Sequence, residues 1–201
     1  RPDVCDPDCN GNSILDFNEI NANMALDIDR DGRLDACQDC NSNAVTDYVD
    51  LAYENDIFVC DPSAVTIRDF NAQSGVQART IGGFPAAPVD ATTAPDGNVY
   101  SVCPSSGLII KTIPATGANS NVLTGLTSPY AICTGSASSD LYFAEQSANR
   151  IRKVTSAGSA IWSTNLVAPH TLPTGVVIGP DGNLYVTSDG NDAVYRYNAT
   201  T

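Results

Sequence analysis

The residues best placed to do chemistry in this chain are carboxylates and carboxamides that recur at every second position in three short runs near the N-terminus. The first run sets Asp8, Asn10, Asn12, Ile14, Asp16 and Glu19 at positions 1, 3, 5, 7, 9 and 12 of a loop. The second sets Asp27, Asp29, Asp31, Arg33 and Asp35 in the same order, and the third sets Asp39, Asn41, Asn43, Val45, Asp47 and Asp50. Calcium takes about six to eight oxygens, and a twelve-residue loop supplies them from these positions, the seventh through its backbone carbonyl. Ile14, Arg33 and Val45 are therefore expected to serve through their carbonyls, while Glu19 and Asp50 close the first and third loops. The chemistry predicted is calcium binding.

Departures from the pattern refine it. The sharp turn at the sixth position favours glycine, which only the second loop has, as Gly32; Ser13 and Ala44 stand there in the others. Gln38 occupies the last position of the second loop, and Asp39 follows it, placed to bridge two sites. For any single run, an Asp/Asn-rich surface turn is the plainer reading, because both residues bond locally to their own backbone. Three runs in register favour the cation.

Residues 8–56, carrying these Asp/Asn-x-Asp/Asn loops interleaved with cysteines, resemble the calcium repeats of dockerins and of thrombospondin type 3 modules. A dockerin-like arrangement implies two loop–helix units, with helices over Asp16–Met24 and Thr46–Asn55. Ile20, Met24, Val49, Leu51 and Tyr53 would then be their apolar contacts. The third loop abuts the second with no helix between them, which is closer to the thrombospondin arrangement.

Charge divides the chain in the same place. Its formal net charge is −13, and residues 1–60 hold fourteen Asp/Glu against Arg1, Arg30 and Arg33. Carboxylates at ligand spacing repel one another without a cation, and so acidic a surface suits neither nucleic acid nor an anionic membrane. Seven cysteines, at 5, 9, 37, 40, 60, 103 and 133, point to an oxidising compartment and to a disulfide-stapled acidic segment. Cys37 and Cys40 have half the spacing of a zinc site, but His170 is the only histidine and no second pair exists. With an odd count, one thiol stays free or pairs outside the chain. No membrane insertion is expected, and the chain reads as a mature, secreted or cell-surface product.

From about Ala64 the composition shifts to Gly, Thr, Ser, Val and Tyr, and an internal repeat appears. Asp96-Gly97-Asn98-Val99-Tyr100 returns as Asp140-Leu141-Tyr142 and as Asp181-Gly182-Asn183-Leu184-Tyr185, the tyrosines 42 and 43 residues apart. Lys111, Lys153 and Arg196 follow in one column, and Pro88, Pro129 and Pro173 precede in another. A period in the low forties with several strands per unit is the signature of propeller blades. The expected fold is mainly β: a calcium-loop segment with short helices over residues 1–62, then propeller blades over 63–201.

Leu126-Thr127-Ser128-Pro129 and Asn149-Arg150-Ile151-Arg152-Lys153-Val154 make the second part similar to NHL and streptogramin-lyase-like propellers. Val65–Phe70 and Val76–Ile81 read as the outer pair of a first blade, giving about three and a quarter blades where closed propellers have about four to eight. Closure is then expected to come from further sequence or from neighbouring copies. Lyase relatives rely on histidines near the propeller axis, whereas His170 lies in a loop and reads as a packing residue. Glu145, at a strand end where ligand-facing loops emerge, shows no acid–base partner. The sequence therefore predicts a secreted, calcium-stabilised structural or interaction protein that is not an enzyme. Its partners would be copies of itself or other extracellular proteins, in assemblies that include filaments. A propeller hydrolase or lyase with a calcium-binding appendage is the alternative.

Calorimetric titration of the intact chain, disulfides preserved, is expected to show calcium binding at more than one site. Asp8→Ala should weaken one of them, because the carboxylates left behind lose a ligand and keep their repulsion. No heat of binding at millimolar calcium would exclude these sites.

Overall fold

The computed structural model describes residues 14, 16–23, 56–72, 75–135 and 138–199. The chain divides into two units, Arg1–Asp56 and Ile57–Thr201. In the first unit a short helix, α1, spans Asp16–Ala22, and the Asn23 N–H closes its last turn on the Glu19 carbonyl at 2.8 Å. It starts at the expected residue. The second expected helix, Thr46–Asn55, lies outside the described residues, as do the second and third loops.

Among the described residues of the second unit, the strands form four sheets. The first holds β1 (Asp56–Asp61), β2 (Thr66–Asn71) and β3 (Gln77–Ile81); the second holds β4 (Asp90–Thr93), β5 (Val99–Cys103), β6 (Leu108–Ile113) and β7 (Ala118–Leu123). The third holds β8 (Pro129–Gly135), β9 (Ser138–Glu145), β10 (Arg150–Val154) and β11 (Ala160–Asn165), and the fourth β12 (Pro173–Ile178), β13 (Asn183–Ser188) and β14 (Ala193–Asn198). Strands follow chain order within each sheet, and the second, third and fourth sheets are antiparallel throughout.

One expectation needs correcting. The boundary drawn at residue 62 cuts through a blade, because Asp56–Asp61 is a strand of the first sheet. Its Asp-Ile-Phe-Val-Cys-Asp run alternates sides as strands do, and Phe58 stands 42 residues before Tyr100, in the tyrosine column. The first blade therefore has three described strands instead of two.

The repeat is visible in the backbone as well. Val65, Gly107, Asn149 and Asp192, each just before the third strand of its repeat, are left-handed with φ of 56°, 63°, 46° and 53°. Across the sheets, Tyr100 faces Lys111, Tyr142 faces Lys153 and Tyr185 faces Arg196 in matching register. Each cation reaches an aspartate of the preceding turn: Lys111 to Asp96 at 3.6 Å, Lys153 to Asp140 at 3.3 Å and Arg196 to Asp181 at 3.7 Å. Tyr100 and Tyr185 donate to the same aspartates, at 2.7 and 2.9 Å. Burial, then the Asp96 hydrogen bond, pushes the Tyr100 phenol well above its ordinary range.

Alternation along each strand sends successive side chains to opposite faces, and cores form between successive sheets. Ile67, Val99, Cys103 and Ile110 meet between the first and second sheets. Tyr100, Val102, Ile109, Leu141, Phe143 and Val154 meet between the second and third, and Tyr142, Ala144, Ile151, Leu184 and Val186 between the third and fourth. Val99 and Tyr100 are neighbours in sequence, lie in different cores, and are both fully buried.

Gly107 shows how tightly one junction is fitted. A Cβ there would overlap the Leu126 backbone carbonyl, and the Leu126 N–H already donates to the Gly107 carbonyl at 3.0 Å. Gly125 is also left-handed, with φ of 69°, but has open space around it. Gly107→Ala is expected to cost about 1–3 kcal/mol more than Gly125→Ala, since only the first adds a clash to the conformational cost. Thermal denaturation of the two variants measures this; equal shifts in Tm would contradict the packing described.

Candidate functional site

Antiparallel succession gathers two kinds of connection at one end of the sheets: the turns from second to third strand, and the crossovers from one sheet to the next. The second strand ends there on Asp61, Cys103, Glu145 and Ser188, spaced 42, 42 and 43 residues apart. At the two positions where that residue is Glu or Ser and a crossover passes beneath, its side chain clasps the crossover. Glu145 Oε1 accepts the Thr127 N–H at 2.8 Å. Ser188 Oγ accepts the Thr171 N–H at 3.1 Å and donates to the Thr171 carbonyl at 2.6 Å. The next residue is left-handed in both crossovers, Ser128 at φ 53° and Leu172 at φ 51°. Their carbonyls accept from Gln146 N–H and Asp189 N–H, each at 3.0 Å. Pro129 and Pro173 then open the following strands.

Glu145 is fully buried, and its second oxygen is occupied by cations. Arg150 approaches Oε2 through Nε at 2.7 Å and Nη2 at 2.6 Å, and Arg152 lies 3.7 Å away. Both carboxylate oxygens are thus taken up by guanidiniums and a backbone N–H. Glu145 ends the second strand of its sheet, β9, and its partners give it a structural role. Asp61 has a smaller version of this arrangement: the Ala64 N–H at 3.1 Å and then Arg68 at 2.5 Å hold its carboxyl below the usual range.

His170 sits in the crossover from β11 to β12. Its Nδ1 lies 2.6 Å from Tyr197 Oη, and its ring stacks on Tyr195 with centroids 3.4 Å apart. Tyr195 Oη in turn accepts from the Asn191 side-chain amide. The Asn149 side chain accepts the Leu172 N–H at 2.8 Å, and the Asn149 carbonyl accepts the Leu166 N–H at 2.6 Å, tying this crossover to the turn that follows Glu145. His170 therefore packs as the sequence predicts. Its hydrogen-bonded tyrosine, which the sequence reading missed, also gives it the makings of a proton relay.

Nearer the edge where β4, β8 and β12 meet, Asp90 accepts the Ile132 N–H at 2.9 Å and so joins the second sheet to the third. Burial raises its carboxyl above the ordinary value. Cys60, Cys103 and Cys133 are free thiols. Burial pushes Cys60 and Cys133 up to about 12 and Cys103 to about 11, with Asp90 contributing at Cys60 and Cys133. Such thiols are chemically quiet. Cys60, counted with the stapled segment in the sequence, is instead an uncrosslinked blade residue; Cys5, Cys9, Cys37 and Cys40 lie outside the described residues.

Of the predicted calcium ligands, Ile14, Asp16 and Glu19 are described. Ile14 is exposed, Asp16 opens α1, and Glu19 is half-buried within it. Asp8, Asn10, Asn12, Asp27, Asp29, Asp31, Arg33, Asp35, Asp39, Asn41, Asn43, Val45, Asp47 and Asp50 lie outside the described residues.

Successive antiparallel sheets stacked face to face, with a period near 42 residues and crossovers gathered at one end, define the blades of a β-propeller. The chain belongs to the Virginiamycin B lyase family, whose profile matches residues 9–196. Among solved structures it is similar to a streptogramin B lyase at 20% identity and a TM-score of 0.63, over 73% of this chain and 49% of that one. A catalytically inactive virginiamycin B lyase from Staphylococcus aureus with quinupristin matches at 18% identity and 0.56, over 71% and 51%. A nidogen/laminin complex matches at 16% and 0.63, over 72% and 57%. At these identities the likeness shows the fold, and the chain spans about half the length of the structures it matches. No curated protein matches it by sequence.

Glu145→Ala is expected to destabilise the chain by about 1.5–3 kcal/mol, because it removes the buried carboxylate that two partly exposed guanidiniums share and frees the crossover at Thr127. Chemical denaturation measures the change. A loss below about 1 kcal/mol, the range of an exposed ion pair, would show that the carboxylate does not hold the structure together.

Proposed function

We propose that this chain is an interaction module: rigid propeller blades joined to an acidic segment that binds calcium, acting outside the cell or on its surface. The observation that carries this reading is the engagement of Glu145, the buried carboxylate at the crossover end, by Arg150, Arg152 and the Thr127 N–H. That end is built as a clasp. The oxygen-ligand spacing of the first fifty residues and the four cysteines among them support the calcium-stabilised, secreted part of the reading. The fold itself does not choose, since its structural neighbours include both a lyase and a nidogen/laminin complex.

A lyase is the second reading, favoured by the family and by the 2.6 Å contact between His170 Nδ1 and Tyr197 Oη. In that case Tyr197 donates to Nδ1 and fixes the tautomer, so that Nε2 faces the substrate carrying a proton. Incubation with quinupristin separates the two readings. The interaction module leaves the compound intact, with or without calcium. Turnover that disappears in His170→Ala, while the variant keeps its thermal stability, would replace the first reading with the second.

A further inference from the structure

The junctions between successive sheets are not fastened alike. Glu145 and Ser188 clasp the crossovers that lead into the third and fourth sheets. At the entry to the second sheet the same place in the repeat belongs to Cys103, and a thiol is too weak a hydrogen-bonding group to stand in for them. Cys103 is fully buried and points toward the first sheet, in the core that holds Ile67, Val99 and Ile110. Cys60 packs against this same core from the first sheet. It stands one period before Val102 and two before Ala144, both of which turn toward the following sheet. Two sulfurs therefore enter one junction from its two sides, while Cys133 lies in the core between the third and fourth sheets.

We propose that Cys60 and Cys103 are the two halves of a disulfide that fastens the first sheet to the second, and that Cys133 stays a free thiol. The structure shows the pair reduced. Burial, then Asp90 and then Cys103 push the Cys60 thiol up, so the two sulfurs feel one another. The oxidant is a small disulfide of the glutathione class. The half-buried Cys60 attacks it as a thiolate and expels one glutathione thiolate; Cys103 then displaces the second glutathione from the mixed disulfide. The two glutathiones leave with the two electrons and with the protons that the cysteines gave up. Because burial raises both thiols, exchange proceeds as the chain folds or when the first sheet opens, and packing then shields the bond. The cross-link belongs to the fold and stands whether the chain is an interaction module or a lyase.

Peptide mapping of the intact chain, folded in a glutathione redox buffer and alkylated in denaturant, tests this. Cleavage before aspartates and after lysine and arginine puts Cys60, Cys103 and Cys133 on three separate peptides, apart from the cysteines of the acidic segment. The expected product joins the Cys60 peptide to the Cys103 peptide, lighter than their sum by two hydrogens, with Cys133 alkylated. Cys60→Ala puts at this place the residue the repeat already carries at Ala144, so the variant should keep its circular dichroism spectrum and leave Cys103 alkylated. A reductant should lower the Tm of the wild type by more than that of Cys60→Ala, since cross-links elsewhere in the chain are common to both. Alkylation of both Cys60 and Cys103 in the wild type overturns the proposal, as does Cys60 joined to a cysteine of the acidic segment. Cys103 still cross-linked in Cys60→Ala, or equal drops in Tm, overturns it as well. Calcium titration and the quinupristin assay bear on the function reading alone, so the two can fail separately.

Discussion

A twisted sheet with two apolar faces cannot hide either one by itself, and this necessity of face-on-face packing shapes the second unit. Val99 and Tyr100 leave β5 in opposite directions and are both fully buried, which is possible only with a neighbouring sheet on each side. Leu141 and Tyr142 in β9, both buried, likewise lie in different cores. Once the sheets must stack, the crossovers are confined to one end. They need anchors there, because a connection pressed against a sheet has backbone groups to satisfy. Glu145 and Ser188 supply those anchors with different chemistry at the same place in the repeat.

Much of this was legible in the sequence, because propeller blades write their spacing into the chain. The tyrosine column and the cation column survive in the structure, down to the register of Tyr142 against Lys153, and Pro129 and Pro173 open inner strands, whereas Pro88 stands two residues before β4. The first blade was read short because Asp56–Asp61 has no Asp-Gly turn before it and carries phenylalanine in the tyrosine column. Its composition also merges with the acidic segment upstream. The left-handed column was hidden for a different reason. Gly107 and Asn149 are residues that favour that conformation, but Val65 is not, so no residue pattern announced the four positions.

The polar end was the least legible part. Glu145 is an isolated carboxylate in sequence, and its partners Thr127, Arg150 and Arg152 are identified only by sheet pairing and by the path of a crossover. Spacing could have found Ser188, which stands 43 residues after Glu145, but a serine and a glutamate do not look equivalent until both are seen holding a threonine. His170 was recognisable as a loop residue, whereas the tyrosines around it come from β14, well beyond any local motif.

Because the cores among the described residues join each sheet to its neighbours in the chain, the second unit is coupled along one dimension, like a row of repeats with nearest-neighbour contacts. The second and third sheets are gripped on both faces by their neighbours. Local opening in such an array is resisted most where a sheet is gripped on both faces, so backbone amides in β5 and β9 would exchange slowly with solvent. Resistance to opening is thus set by how many faces of a sheet its neighbours cover.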